Sequence, residues 1–127
     1  MMYKEMTPNI MVENVKETID FYTNYLGFEI VVTVPEQGET LDFAIMKKDN
    51  ISIMFESRTS LCKEYPTLKL EEIKPSFTLF IVVSNVEELY NNLKDKVKIA
   101  KEIHQTFYGK LEFAIFDNNN NILTISC

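Results

Sequence analysis

The chain has no tryptophan, one histidine, two cysteines and three glycines in 127 residues, and acidic side chains outnumber basic ones by 19 to 13. Each shortage excludes something. One histidine cannot supply a metal centre built from several imidazoles. Cys62 and Cys127 lack the close spacing of metal-binding thiols, so they read as free, structural cysteines of a cytoplasmic protein. There is no Gly-rich phosphate loop, no HExxH sequence and no nucleophile elbow. A net charge of -6 repels phosphate backbones and anionic headgroups, which argues against nucleic acid and membrane surfaces as partners. No apolar run approaches the ~20 residues that cross a bilayer, and the N-terminal MMYKEMTPNI lacks the apolar stretch of a signal peptide.

What is present suffices for one packed domain. The chain is 46% hydrophobic, with nine phenylalanines, six tyrosines and six methionines. Its organisation shows as an internal repeat. TPNIMVENVKE, from Thr7, aligns without a gap on TLFIVVSNVEE, from Thr78: Ile10 falls on Ile81, Val12 on Val83, Asn14 on Asn85, Val15 on Val86 and Glu17 on Glu88. Farther on, FAI at Phe43 recurs as FAI at Phe113 at nearly the same separation. Two matches in one order imply two copies of one supersecondary unit.

Each copy opens with a short apolar strand, 9–12 and 77–83, followed by Asn14 or Asn85 at an N-cap position with Glu three residues later. Helices are expected there. Val15, Ile19, Tyr22 and Leu26 form the apolar face of the first, which Gly27 stops; Val86, Leu89, Tyr90, Leu93 and Val97 mark the second. Three strands are expected after each helix, 28–34, 41–47 and 51–56, then 97–103, 110–116 and 122–126. Each copy closes in a hairpin, through KKDN and DNNNN, whose Asp and Asn residues tolerate positive φ. The reading is two βαβββ units, 1–57 and 76–127, joined by a polar linker at 58–75 with one turn of helix at most.

This pattern resembles the vicinal oxygen chelate superfamily, which includes glyoxalase I, the bleomycin resistance proteins and the extradiol dioxygenases. The resemblance rests on Val12 and Asn14, on Phe21 and Tyr22, on Leu26, Gly27 and Phe28, on Tyr108 and Gly109, and on Asp117 and Asn121 of the closing turn. It implies an α+β fold whose two mixed sheets form a U-shaped cleft, and a homodimer. It also implies a divalent metal held by His, Gln or Glu on the first and last strands of each unit. The matching positions here are Thr7, Thr78 and Thr124, with Ile53 or Met54 on the last strand of the first unit. Hydroxyls are poor ligands for such ions, so no cofactor is expected.

Strand alternation then selects the side chains that face a cleft. Asn9, Met11, Asp42, Ala44, Met46, Met54 and Glu56 come from the first unit; Phe80, Val82, Lys110, Glu112, Ala114 and Thr124 come from the second, with Tyr108 at the mouth and His104 in the preceding loop. The candidate ligand-binding residues are Met11, Asp42, Met54, Glu56, Phe80, His104, Tyr108 and Glu112. Apolar walls with a few carboxylates suit a small organic molecule, a cation above all. The expected function is metal-independent binding or sequestration of such a compound, as in the bleomycin-resistance-like branch. The alternative is a glyoxalase-like lyase or isomerase holding a divalent metal through an unusual set such as Glu56 and His104.

Overall fold

A computed structural model describes residues 1–69 and 71–127. They form two compact units, Met1–Ile73 and Lys74–Cys127. The first contains β1 (Asn9–Val12), α1 (Val15–Leu26), β2 (Glu29–Val34), β3 (Phe43–Lys48), β4 (Ile51–Ser57) and α2 (Arg58–Glu64), then a 3-10 turn at Pro66–Leu68. The second contains β5 (Thr78–Val82), α3 (Val86–Leu93), β6 (Ile99–Gln105), β7 (Leu111–Phe116) and β8 (Ile122–Ser126). Each unit carries one four-stranded mixed sheet, in the orders β1-β4-β3-β2 and β5-β8-β7-β6. The architecture is the α+β repeat that the sequence implies.

The repeat is written in local chemistry. Asn14 and Asn85 are extended N-caps whose side chains accept from the backbone N–H of Glu17 and Glu88, at 2.9 and 3.0 Å. Gly27 ends α1 at φ 73°, where a Cβ would be strained. The hairpins turn through Asp49 and Asn120, both at positive φ. In the second hairpin Asp117 is buried, and its Oδ1 accepts from the N–H of Asn119 and Asn121 while Oδ2 accepts from Asn121 Nδ2. The asparagine run is therefore a turn organised by its aspartate.

Both helices lie on one face of their own sheet. Tyr22 of α1 is fully buried and packs against Phe28 and Phe55, with ring centroids 5.6 and 4.8 Å apart. Tyr90 of α3 packs edge-on against Phe113 at 5.2 Å. Ile10, Val12, Ile53 and Phe55 complete the first core, and Leu93, Ile115, Leu123 and Ile125 the second. The opposite sheet face carries no helix from its own sequence repeat, and it is there that the polar groups gather.

Three expectations need correction. His104 lies on β6 and not in the loop after it, because the ladder with β7 runs on to Gln105. The segment after β4 holds more helix than one turn: Ser57 caps α2 by accepting from Ser60 N–H, and Leu61 buries against the unit. Ala44 and Met46 do not share a face with Glu56. They pair with Phe55 and Ile53 on the helix-covered side, whereas Phe43 and Ile45 pair with Glu56 and Met54. Alternation counted from Asp42 misplaces them, because Asp42 lies before β3 begins and its direction does not set that of the strand. No helix among the described residues is long and apolar enough to cross a membrane.

Candidate functional site

The open face of the first sheet is built from β1, β3 and β4. Asn9 and Met11 pair with Met54 and Glu56 in the parallel β1–β4 ladder, which puts all four side chains on that face. Glu56 is buried there with both oxygens engaged: Asn9 Nδ2 donates to Oε1 at 2.9 Å and Ser60 Oγ donates to Oε2 at 2.8 Å. A carboxylate carries about four lone-pair sites, so each oxygen keeps capacity to accept another donor. Asn9 comes from β1 and Ser60 from α2, which lock the Glu56 rotamer from two sides.

Around Glu56 lies a cavity of about 480 Å³, lined by Asn9, Val34, Asp42, Phe43, Met54, Ser60 and Glu64. Three of its lining groups are carboxylates and none is Lys, Arg or His among the described residues. Asp42 is exposed at its edge and accepts from Ser57 Oγ at 3.5 Å, while Glu64 stands on the last turn of α2. Val34, Phe43 and Met54 supply apolar wall. Of the residues expected from the sequence, the structure thus brings Asp42, Met54 and Glu56 to one cavity, with Met11 beside Glu56 on the same face. Ser60 and Glu64 are missed by sequence reasoning because the segment carrying them reads as a polar linker; the Ser57 cap is the signal that could have found them.

The open face of the second sheet has a different centre. Glu112 on β7 is buried and is the cross-strand partner of both His104 on β6 and Ser126 on β8. Tyr108, on the β6–β7 turn that Gly109 makes at φ 83°, donates its hydroxyl to Glu112 Oε2 at 2.7 Å. That bond holds the Glu112 carboxyl below the usual carboxylate range against an opposing push from burial, with Ser126, His104 and Lys101 adding to the lowering. The same bond, then burial, raises the Tyr108 phenol. His104 Nδ1 is 2.8 Å from the Glu102 carbonyl oxygen. Phe80 lies on the same face, paired with Thr124 and more than half exposed.

The positions implied for a metal can be tested on their donors. Thr78 Oγ1 and Thr124 Oγ1 lie 2.7 Å apart and hydrogen-bond one another. The first unit offers the Met54 thioether and the Thr7 hydroxyl at the equivalent places. Hydroxyls that satisfy one another and a thioether do not fit a divalent ion that needs several anionic or imidazole ligands. Among the described residues, no group of three or more His, Cys, Asp or Glu could hold a metal ion.

The comparisons with known proteins bear on fold and family. A family model described as the glyoxalase/bleomycin resistance protein/dioxygenase superfamily matches residues 6–125. The chain belongs to that superfamily. Solved structures share its fold at low identity. A protein of unknown function from Agrobacterium tumefaciens superposes with a TM-score of 0.80 at 14% identity over 99% of this chain and 94% of that one. TioX from Micromonospora sp. ML1 gives 0.75 at 13% identity over 98% of both chains. A lactoylglutathione lyase from A. tumefaciens gives 0.74 at 12% identity, covering 97% of this chain and 92% of that one. No curated protein matches the sequence. At such identities the likeness speaks for the superfamily fold alone, because this fold hosts unrelated chemistries.

Proposed function

We propose that this superfamily member is a cytoplasmic, metal-independent binding protein for a small organic cation, which it recognises or sequesters without transforming it. The observation that carries the reading is the first unit's cavity. Its volume is within the range of small-molecule sites, its walls include Val34, Phe43 and Met54, and its charges are all negative. A buried carboxylate held by Asn9 and Ser60 is preorganised, so a cation meeting Glu56 displaces little structure. Asp42 and Glu64 add attraction at the margin, and Met11 adds apolar surface beside Glu56. Phe80, Tyr108, His104 and Glu112 are proposed as ligand-facing groups of the second unit, where Phe80 and Tyr108 offer ring faces and Glu112 a charge.

A thermal-shift experiment on chelator-treated protein tests this. Matched sets of an organic ammonium compound, its neutral isostere and its carboxylate analogue are compared with Zn, Ni, Mn and Fe(II). A ligand that binds only the folded state raises the melting temperature. The expected result is a rise with the ammonium compound alone. A rise with one of the metals, at near-stoichiometric binding, would overturn metal independence and favour the lyase or isomerase reading. Equal rises with cation and neutral isostere would remove the carboxylates from recognition.

A further inference from the structure

The polar atoms around Glu56 are defined by the hydrogens they have already committed. Glu56 is 4% exposed and takes one donor on each oxygen, from Asn9 Nδ2 and from Ser60 Oγ. A carboxylate offers about four acceptor sites and no donor, so acceptor capacity stays open on both oxygens. Buried acceptors are costly to leave unmet. Holding Glu56 also changes its two holders. A serine hydroxyl has a single hydrogen; that of Ser60 goes to Glu56, and toward any further group its Oγ can only accept. Asn9 commits one amide hydrogen and keeps its Oδ1 as an acceptor. Asp42 and Glu64, as carboxylates, accept only. Among the described side chains lining the cavity, acceptors stand on Asn9, Asp42, Glu56, Ser60 and Glu64, and a spare hydrogen on Asn9 alone.

The sheet register gives a ligand its direction. Val34 pairs with Phe43, Phe43 with Glu56 and Glu56 with Met11, so these residues form one row across β2, β3, β4 and β1 on the open face. Adjacent strands lie about 4.8 Å apart, which puts Val34 about 10 Å from Glu56 along the row. A charged head on Glu56 therefore leaves room for an apolar body of about that length over Phe43 and Val34.

Hydrogen-bond donors, more than charge, decide which cation suits this floor. A quaternary ammonium has no N–H and is recognised by a cage of aromatic faces. Phe43 is the one ring among the described lining residues. A primary ammonium carries three N–H groups that diverge from one nitrogen, and acceptors stand on Glu56, Ser60 and Asn9. The exposed Asp42 and Glu64 attract either kind of cation and do not separate them.

We propose that the ligand of this cavity is a primary ammonium compound, seated with its N–H groups on Glu56 and its apolar body along Phe43 and Val34, and that quaternary ammonium compounds are rejected. This rests on the cation-binding reading and narrows it from charge to donors. Calorimetric titration of the chelator-treated full-length chain at neutral pH tests it with phenethylammonium and its N-methyl, N,N-dimethyl and N,N,N-trimethyl derivatives. The series removes donors one at a time while charge and ring stay; 2-phenylethanol is the uncharged member. Affinity is expected to fall with each methylation, and the trimethyl compound to bind about tenfold or more weakly than the parent. Methylation eases dehydration of the cation, so recognition by charge and apolar contact alone would leave the series level or reverse it. Glu56→Gln is expected to weaken every cation and to level the series. A level or reversed series in the wild type, with 2-phenylethanol silent, would overturn the donor requirement and leave the cation reading standing. Binding of 2-phenylethanol as tight as that of the parent, or no binding by any of the cations, would overturn both.

Discussion

The two units share strand order, helix capping and hairpin chemistry, but their open faces have been filled differently. At matching places on the last two strands Phe43 faces Glu56 in the first unit and Glu112 faces Ser126 in the second, so the buried acid stands on the last strand of one unit and on the penultimate strand of the other. In the first unit Glu56 lines a cavity, tied from outside its strand by Asn9 and Ser60, with the exposed Asp42 at the cavity edge. In the second unit Glu112 is tied by Tyr108 from its own hairpin, with His104 and Lys101 near it. Backbone-level signals keep the repeat, whereas side chains on the free face are at liberty to diverge. One unit has become a purely anionic cavity and the other a carboxylate already supplied with partners.

The comparison breaks most visibly if the cores are not equivalent. Phe55→Ala and Phe113→Ala each remove a fully buried ring that packs on a helix tyrosine. Each is expected to cost about 3–5 kcal/mol in denaturant unfolding. A much smaller loss in one of them would mean that its unit is the looser of the two.

The ligand faces are separated by paired carboxylate variants. Glu56→Gln is expected to weaken binding of an organic cation about 10- to 100-fold in calorimetry, in line with the loss of a hydrogen-bonded charge. Glu112→Gln, altering a group already held by Tyr108 and Ser126, is expected to weaken it less. The opposite ranking would move the main recognition to the second unit. By contrast the caps should be equal: Asn14→Ala and Asn85→Ala are each expected to cost about 1 kcal/mol, measured by the same unfolding experiment.

The smallest effect expected is a pH dependence set by the Tyr108–Glu112 bond. The folded-state pKa of Glu112 lies below that of an unfolded glutamate, so its contribution is fully present above the ordinary carboxylate range and is lost as pH falls through the folded value. Tyr108 is raised by the same bond, and its contribution is present below pH about 10 and lost as pH rises beyond it. Tyr108→Phe should flatten both limbs of a stability-against-pH curve. A curve unchanged on both sides would mean that the bond contributes nothing in solution.

Most of the fold is legible in the amino-acid order because its signals are local. The Asn14 and Asn85 caps, the Gly27 stop and the Asp117 turn are each fixed by a side chain acting within a few residues of itself. The open face is legible only in part. Alternation along one strand places Met54 and Glu56 correctly, but it assigns Ala44 and Met46 to the wrong face because Asp42 stands outside β3. Ser60 and Glu64 stay hidden for another reason. The α2 segment is polar, buries only Leu61 and leaves little periodic signal. The Glu56–Asn9 bond spans 47 residues, a separation at which no local pattern announces a pair.

The most direct test of metal-independent cation recognition is a calorimetric titration of chelator-treated wild type and Glu56→Gln with the best organic cation from the thermal-shift panel. The expected result is unchanged stoichiometric binding by the wild type with or without chelator, and a loss of about tenfold or more in the variant. Binding that vanishes with the chelator, or that is indifferent to Glu56, would contradict the reading.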